Sequence, residues 1–224
     1  MPAPKPVGLL QAGSVKQESE VFMKDYFEIV DVLAREVYTV EDKITIEAEV
    51  TLDDGTVGRA CVSAAMEEGK PSNIACENVN TEIAEAILGL NALDQSYIDA
   101  ILMEVDGDSG RRLGTNATMA ASVACAKAAA ESAGLSLYSY LGGVTARHIP
   151  EMVGKVDERR GMKWYPTLTA MLDDLKNYDT VCSGTCEDPF MAHVAVASGA
   201  KKLCTLTTCA KNEIIRIKEE LELL

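Results

Sequence analysis

Seven cysteines and two histidines are the side chains of this chain best suited to metal or nucleophile chemistry. Cys182 and Cys186 are four positions apart, and Cys204 and Cys209 five. That approaches the spacing of about two to four residues at which thiolate pairs grip zinc in closed tetrahedral sites. The odd total and the scatter of Cys61, Cys76 and Cys125 favour reduced thiols packed as small apolar side chains. His148 and His193 have no recognisable partner in the sequence, and His193, between Ala192 and Val194, reads as a packed histidine. Neither GxGxxG nor GxxxxGK[ST] occurs, so no phosphate-cradling glycine loop is indicated. Ser183-Gly184 reads as a turn at a strand end. Glu187 and Asp188 stand where a helix begins, which suits capping and dipole compensation. With Ser183 beside it, that helix start would also be a generic anion site.

Composition narrows the partners. Of 224 residues, 47% are apolar and 25% charged, the balance of a folded protein with a core. Lys plus Arg number 21 against 35 Asp plus Glu, a net charge of −14 that repels phosphate backbones and argues against nucleic acid. No stretch reaches the ~20 consecutive apolar residues that span a bilayer. The opening MPAPKPVGLLQAGS lacks a sustained apolar stretch. A cytoplasmic protein without a membrane role is expected.

The elements that must position these groups follow from periodicity. Residues 1–27, with Pro2, Pro4 and Pro6, carry no clear period and read as an N-terminal extension. Ile29 to Tyr38 is a β-rich segment, and Ile44 to Leu52 alternates apolar with polar residues as a strand with one wet face does. Asp53-Asp54-Gly55-Thr56 supplies a turn and Val57 to Ser63 returns, giving a three-stranded antiparallel meander. The period then becomes helical: Ile83, Ile87 and Leu90 share one face, and Ile98, Ile101, Leu102 and Val105 another behind an N-cap at Asp94. The alanine-rich run from Asn116 to Ala133 permits close helix packing and ends before Gly134. A short helix spans Leu137 to Leu141. Beyond a boundary near residue 150, helix Thr167–Tyr178, strand Thr180–Cys182, helix Pro189–Ala197, strand Lys202–Leu206 and a last helix alternate as βα units do. On that last helix, Ile214, Ile215, Ile217 and Leu221 are placed on one face.

The run IVDVLAREVYTVEDKITIEAEVTLDDGTVGRACV resembles the opening meander of the enolases, and ENVNTEIAEAILGLNALDQ their first helices. The segment IDAILMEVDGDSGRRLGTNATMAASVACAKAAAESAGLSLYSYLGG is similar to the rest of the enolase N-terminal domain. SGTCEDPFMAHVAVASGAKKL and AKNEIIRIKEEL resemble, more loosely, the family's seventh barrel strand and C-terminal helix. The resemblance implies an α+β fold: an enolase N-terminal-like domain over 28–148, then over 149–224 a truncated remnant of the enolase barrel. A complete (β/α)8 barrel takes ~250 residues, and ~200 at the smallest, so residues 151 to 224 hold only a partial one.

Enolases dehydrate 2-phosphoglycerate to phosphoenolpyruvate in glycolysis, with Mg²⁺ stabilising an enolate-like anion and a lysine as base. By resemblance the nearest match to that lysine is Lys163, a phosphate-contacting Ser-Gly falls on Ser183 and Gly184, and a loop serine that binds metal falls on Glu67. The family's three carboxylate ligands and its assisting glutamate belong to barrel strands missing here. Its His-Arg pair becomes Val181-Cys182, and its eighth-strand lysine becomes Cys204. These departures favour a catalytically inactive paralogue with a binding or assembly role, without cofactor. A partial barrel leaves strand edges to cover, so a homo-oligomer, a dimer as in the family, or a protein partner is expected. Two alternatives stand beside it: an active Mg²⁺-dependent enolase using Glu67, Glu68, Glu187 or Asp188, and a phosphometabolite sensor built on Ser183.

Overall fold

In the computed structural model, residues 25–62, 69–107, 111–154 and 163–223 are described. Alternation along the first strands becomes one buried face. Strands β1 (Ile29–Tyr38), β2 (Ile44–Leu52) and β3 (Val57–Val62) form an antiparallel meander in sequence order. Ile46, Ala48, Val50 and Leu52 of β2 are buried, while Glu47 and Glu49 on the other face pair with Arg35 at 2.8 and 2.9 Å. The β2–β3 turn places Gly55 at φ 87, a conformation that favours glycine.

Helix α1 (Ser72–Asn78) runs through a π-helical stretch, Val79–Ile83, into α2 (Ala84–Ile87). Periodicity indicated a helix here but not the extra residue per turn. That stretch carries Asn80, whose side-chain amide accepts from the Ala34 N–H (2.6 Å) and donates to the Ala34 carbonyl (3.1 Å). At this point β1, an edge strand, has its backbone groups occupied by a side chain and is less available for strand pairing.

Helix α3 (Gln95–Asp106) starts at the expected N-cap, the Asp94 carboxylate accepting from the Tyr97 N–H. Helix α4 (Thr115–Ser132) is enclosed nearly all round, which its alanines permit. It lies so close to the meander that a Cβ on Gly58 would meet the Ala124 carbonyl oxygen at 2.1 Å. Helix α5 (Leu137–Gly142) follows Gly134, which sits at φ 67. Phe27 is buried and its N–H donates to Asn91, so residues just ahead of β1 already pack on this unit.

The second half forms a parallel three-stranded sheet ordered β4 (Glu151–Val153), β6 (Lys202–Cys204), β5 (Thr180–Cys182). Helices α6 (Leu168–Leu175), α7 (Phe190–Ala197) and α8 (Thr208–Glu222) accompany it. The unit β5–α7–β6 is the expected βαβ crossover. Several expectations shift in detail: strand β6 ends at Cys204 instead of Leu206, and α7 begins at Phe190 instead of Pro189. Helix α6 ends at Leu175, three residues before Tyr178. Ile215 of α8 is 51% exposed, whereas Ile214 and Ile217 are buried against the protein. A continuous buried apolar cluster runs from Phe27 to Ile217 through both sheets. Among the described residues no helix is long and apolar enough to cross a membrane.

Candidate functional site

A cavity of about 360 Å³ opens where the two halves meet. Its apolar wall is built by Val62 of β3, Met119 and Val123 of α4, Met171 and Leu175 of α6, and Phe190 of α7. Lys163, Tyr165, Thr180, Cys182, Ser183, Gly184 and Asp188 belong to the polar part of the lining. Three residues singled out in the sequence, Lys163, Ser183 and Gly184, thus reach one place from two separate segments. Glu67, and Glu68 beside it, lie outside the described residues.

The local chemistry of each group is constrained. Lys163 Nζ lies 2.8 Å from Asp174 Oδ2 and 5.4 Å from the centroid of the Tyr178 ring. The Asp174 carboxylate raises the Lys163 ammonium above its ordinary range and is itself held below the usual carboxylate range, first by Lys163 and then by Tyr165. Tyr165 donates its hydroxyl to the same oxygen at 2.6 Å, and burial, then Asp174, pushes that phenol upward. Lys163 therefore holds its proton at neutral pH. A base needs a lone pair, and this ammonium offers none there.

Ser183 is engaged as well. Its hydroxyl donates to Thr205 Oγ1 at 2.6 Å, which lies 3.1 Å from Thr207 Oγ1, and its N–H donates to the Cys204 carbonyl at 2.9 Å. Glu187 is exposed. The N-cap of α7 is Pro189 and not the expected Asp188, which stands one residue earlier; its Oδ1 still accepts from the N–H of Phe190, the first residue of α7, at 2.9 Å. Asp188 also accepts from the Cys61 N–H at 2.9 Å through Oδ2 and from Lys127 Nζ at 2.6 Å through Oδ1. A single carboxylate thereby joins β3, α4 and α7 on one side of the cavity.

The thiols pair differently from their spacing. Cys182 lies opposite Cys204 in the β5–β6 register. Cys186 and Cys61 of the first half are neighbours in the cavity lining. All seven cysteines are reduced, and among the described residues no three His, Cys, Asp or Glu side chains converge on a point fit for a metal. The zinc grouping suggested by the four- and five-residue spacings is thus replaced by two separate pairs. The described residues likewise supply no carboxylate cage for Mg²⁺. Burial, followed by the neighbouring Cys204, pushes the Cys182 thiol up to about 11.

Asp99 and Ser122 did not stand out in the sequence, yet they place the α6 wall. The Leu168 N–H donates to Ser122 Oγ at 2.9 Å, and the Thr169 N–H to Asp99 Oδ2 at 2.8 Å. Ser122 in turn donates to Asp99 Oδ1 at 2.6 Å. Two buried side chains from α3 and α4 thus satisfy the N-terminal amides of a helix far along the chain. Their one signal was polarity: an acid on the apolar face of Ile98 and Leu102, and a serine in an alanine run. His193 is packed as expected, stacked on Tyr138 at 6.2 Å, with Nε2 3.2 Å from Glu213 Oε1. His148 is exposed.

An antiparallel meander backed by a buried alanine-rich helix, joined to parallel βα units with a cavity at the junction, defines an α+β protein with a two-part site. The family model described as enolase, N-terminal domain, matches residues 29–141, and the chain belongs to the enolase family.

Proposed function

We propose that this protein is a non-catalytic member of the enolase family that binds a small, largely apolar ligand in the cavity between its halves. The observation that carries this reading is the Lys163–Asp174 pair. The nearest match to the catalytic lysine is engaged in an ion pair with Asp174, in a cavity lined also by Met, Val, Leu and Phe side chains. Apolar walls with a few polar groups are the usual make-up of a small-molecule pocket. Abstraction of a proton beside a carboxylate would require the opposite, a deprotonated base among fixed cationic charge. The phosphometabolite reading is less well supported: the Ser183 hydroxyl already donates to Thr205, and the Asp188 carboxylate occupies the start of α7 where an anion would sit.

Two measurements test this together. Phosphoenolpyruvate formation from 2-phosphoglycerate, followed by absorbance with and without Mg²⁺, should stay at the uncatalysed rate. Saturable, Mg²⁺-dependent turnover that disappears in Lys163→Met would overturn the non-catalytic part. An environment-sensitive apolar dye should bind with quenching of Trp164 fluorescence, and Met119→Trp should block the binding. Dye binding unaffected by that substitution would overturn the placement of the site.

A further inference from the structure

We propose that Cys182 and Cys204 form a redox-active dithiol, oxidised to an intramolecular disulfide by low-molecular-weight disulfides of the glutathione type. The two residues are register partners on adjacent parallel strands. Neighbouring strands lie about 4.7–4.9 Å apart, inside the Cα span of about 4.4–6.8 Å that disulfides bridge. Side chains of register partners on neighbouring parallel strands leave the same face of the sheet, so bond formation needs rotation of side chains and no rearrangement of the chain. Both stand at the carboxyl ends of their strands, the end of a parallel sheet where reactive groups gather.

Their surroundings assign unequal roles. Cys182 is exposed and lines the cavity, so a dissolved disulfide can reach it. Cys204 is buried, its thiol 3.2 Å from the Gly154 carbonyl oxygen. An accessible attacking thiol beside a sheltered resolving thiol is the arrangement of redox-responsive pairs. The attacking thiolate of Cys182, having given its proton to water, bonds to one sulfur of the disulfide and expels the other as a thiolate. The Cys204 thiolate then attacks Cys182 Sγ and expels the second. Across the sequence, two protein thiols lose two hydrogens, one disulfide forms, and one small disulfide is reduced to two thiols. The elevated thiol of Cys182 makes the exchange slow at neutrality, since the thiolate is the nucleophile.

The second pair, Cys61 with Cys186, provides the internal comparison, because Cys186 is buried and Cys61 half-buried. Folded protein is incubated with glutathione disulfide at mildly alkaline pH, and its intact mass and peptide map are read. The expected product lacks two hydrogens and joins the Cys182 peptide to the Cys204 peptide. Cys204→Ser should stop at the first step and keep one glutathione on Cys182, while Cys61→Ser should react as the parent does. Cys182 is exposed, so Cys182→Ser, with no Cys204 bond formed, tests the assignment without disturbing the core. A bond mapped to Cys61 and Cys186 instead, glutathione retained on the parent protein, or thiols that all stay reduced in the folded state would each overturn the proposal.

Discussion

The Asp188 carboxylate accepts the backbone N–H of Cys61 at 2.9 Å across 127 positions of sequence, and receives Lys127 Nζ at 2.6 Å on its other oxygen. The contact is largely dry, with side-chain exposures of 18% for Lys127 and 9% for Asp188. A pair in such a place contributes little beyond its own desolvation cost while both partners are present, but losing one partner is costly. Asp188→Ala strands the ammonium together with two backbone N–H groups, and should lower stability by about 2–4 kcal/mol. Lys127→Met should cost less, since Asp188 keeps both backbone donors. Urea midpoints at constant slope measure the difference, and equal losses would contradict this account.

Gly58 tests the closeness of α4 to the meander. A Cβ at this position would fall 2.1 Å from the Ala124 carbonyl oxygen and 2.5 Å from the Ala128 nitrogen, both backbone atoms that cannot rotate away. Gly58→Ala should therefore destabilise by about 1–3 kcal/mol or more, the range for overpacked cores. Gly142→Ala should behave alike, because its Cβ would lie 2.6 Å from the Ala197 carbonyl oxygen where α5 meets α7. Thermal unfolding reads both. A melting temperature unchanged in either variant would mean that the helix approaches less closely than described.

Much of this was legible in advance, and the exceptions share a physical cause. The β2 alternation, the Gly55 turn, the Asp94 cap and the Gly134 stop are local signals, and each element lies where its signal put it. The π-helical turn at Val79–Ile83 was not legible, since an amphipathic pattern tolerates one extra residue without losing its apolar face. That the cysteines are reduced thiols was legible, but not which of them are neighbours, because sequence spacing measures contour length, whereas Cys182 lies opposite Cys204 through the register of a βαβ crossover. Lys163 could be named from resemblance, but its acid partner at Asp174 depends on how α6 folds back. Residues that act locally can be read along the chain. Those whose partner arrives from another element need the fold.

Asp99 illustrates the second kind. Removing its carboxylate by Asp99→Ala leaves the Thr169 N–H without its acceptor and Ser122 without its own, in a buried setting. The expected loss is about 2–4 kcal/mol, two unsatisfied buried groups at the usual cost each. Because the lost bonds anchor α6, amide exchange should accelerate first at residues 168–175, ahead of α4. Uniform acceleration across both helices would show instead that α6 and α4 open as one unit.

The α7–α8 contact carries an acid-sensitive term. The Glu213 carboxyl is held down to about 2 from an ordinary value of 4.5, first by the hydrogen bond from His193 and then by Arg216, against the upward pull of burial. A carboxyl whose folded value is depressed binds fewer protons folded than unfolded, so folding is favoured where the unfolded chain would still be ionised. The contribution is complete above about pH 4.5 and is lost as pH falls toward about 2. With Glu213 keeping 18% exposure and Arg216 67%, screening reduces it to roughly 1–3 kcal/mol. Glu213→Gln removes the titrating group while keeping an acceptor for the His193 ring. Its stability should run nearer to flat between these pH values, while the parent falls away more steeply. Chemical unfolding at a series of acidic pH values gives both curves, and parallel curves would remove Glu213 as the source of the acid sensitivity.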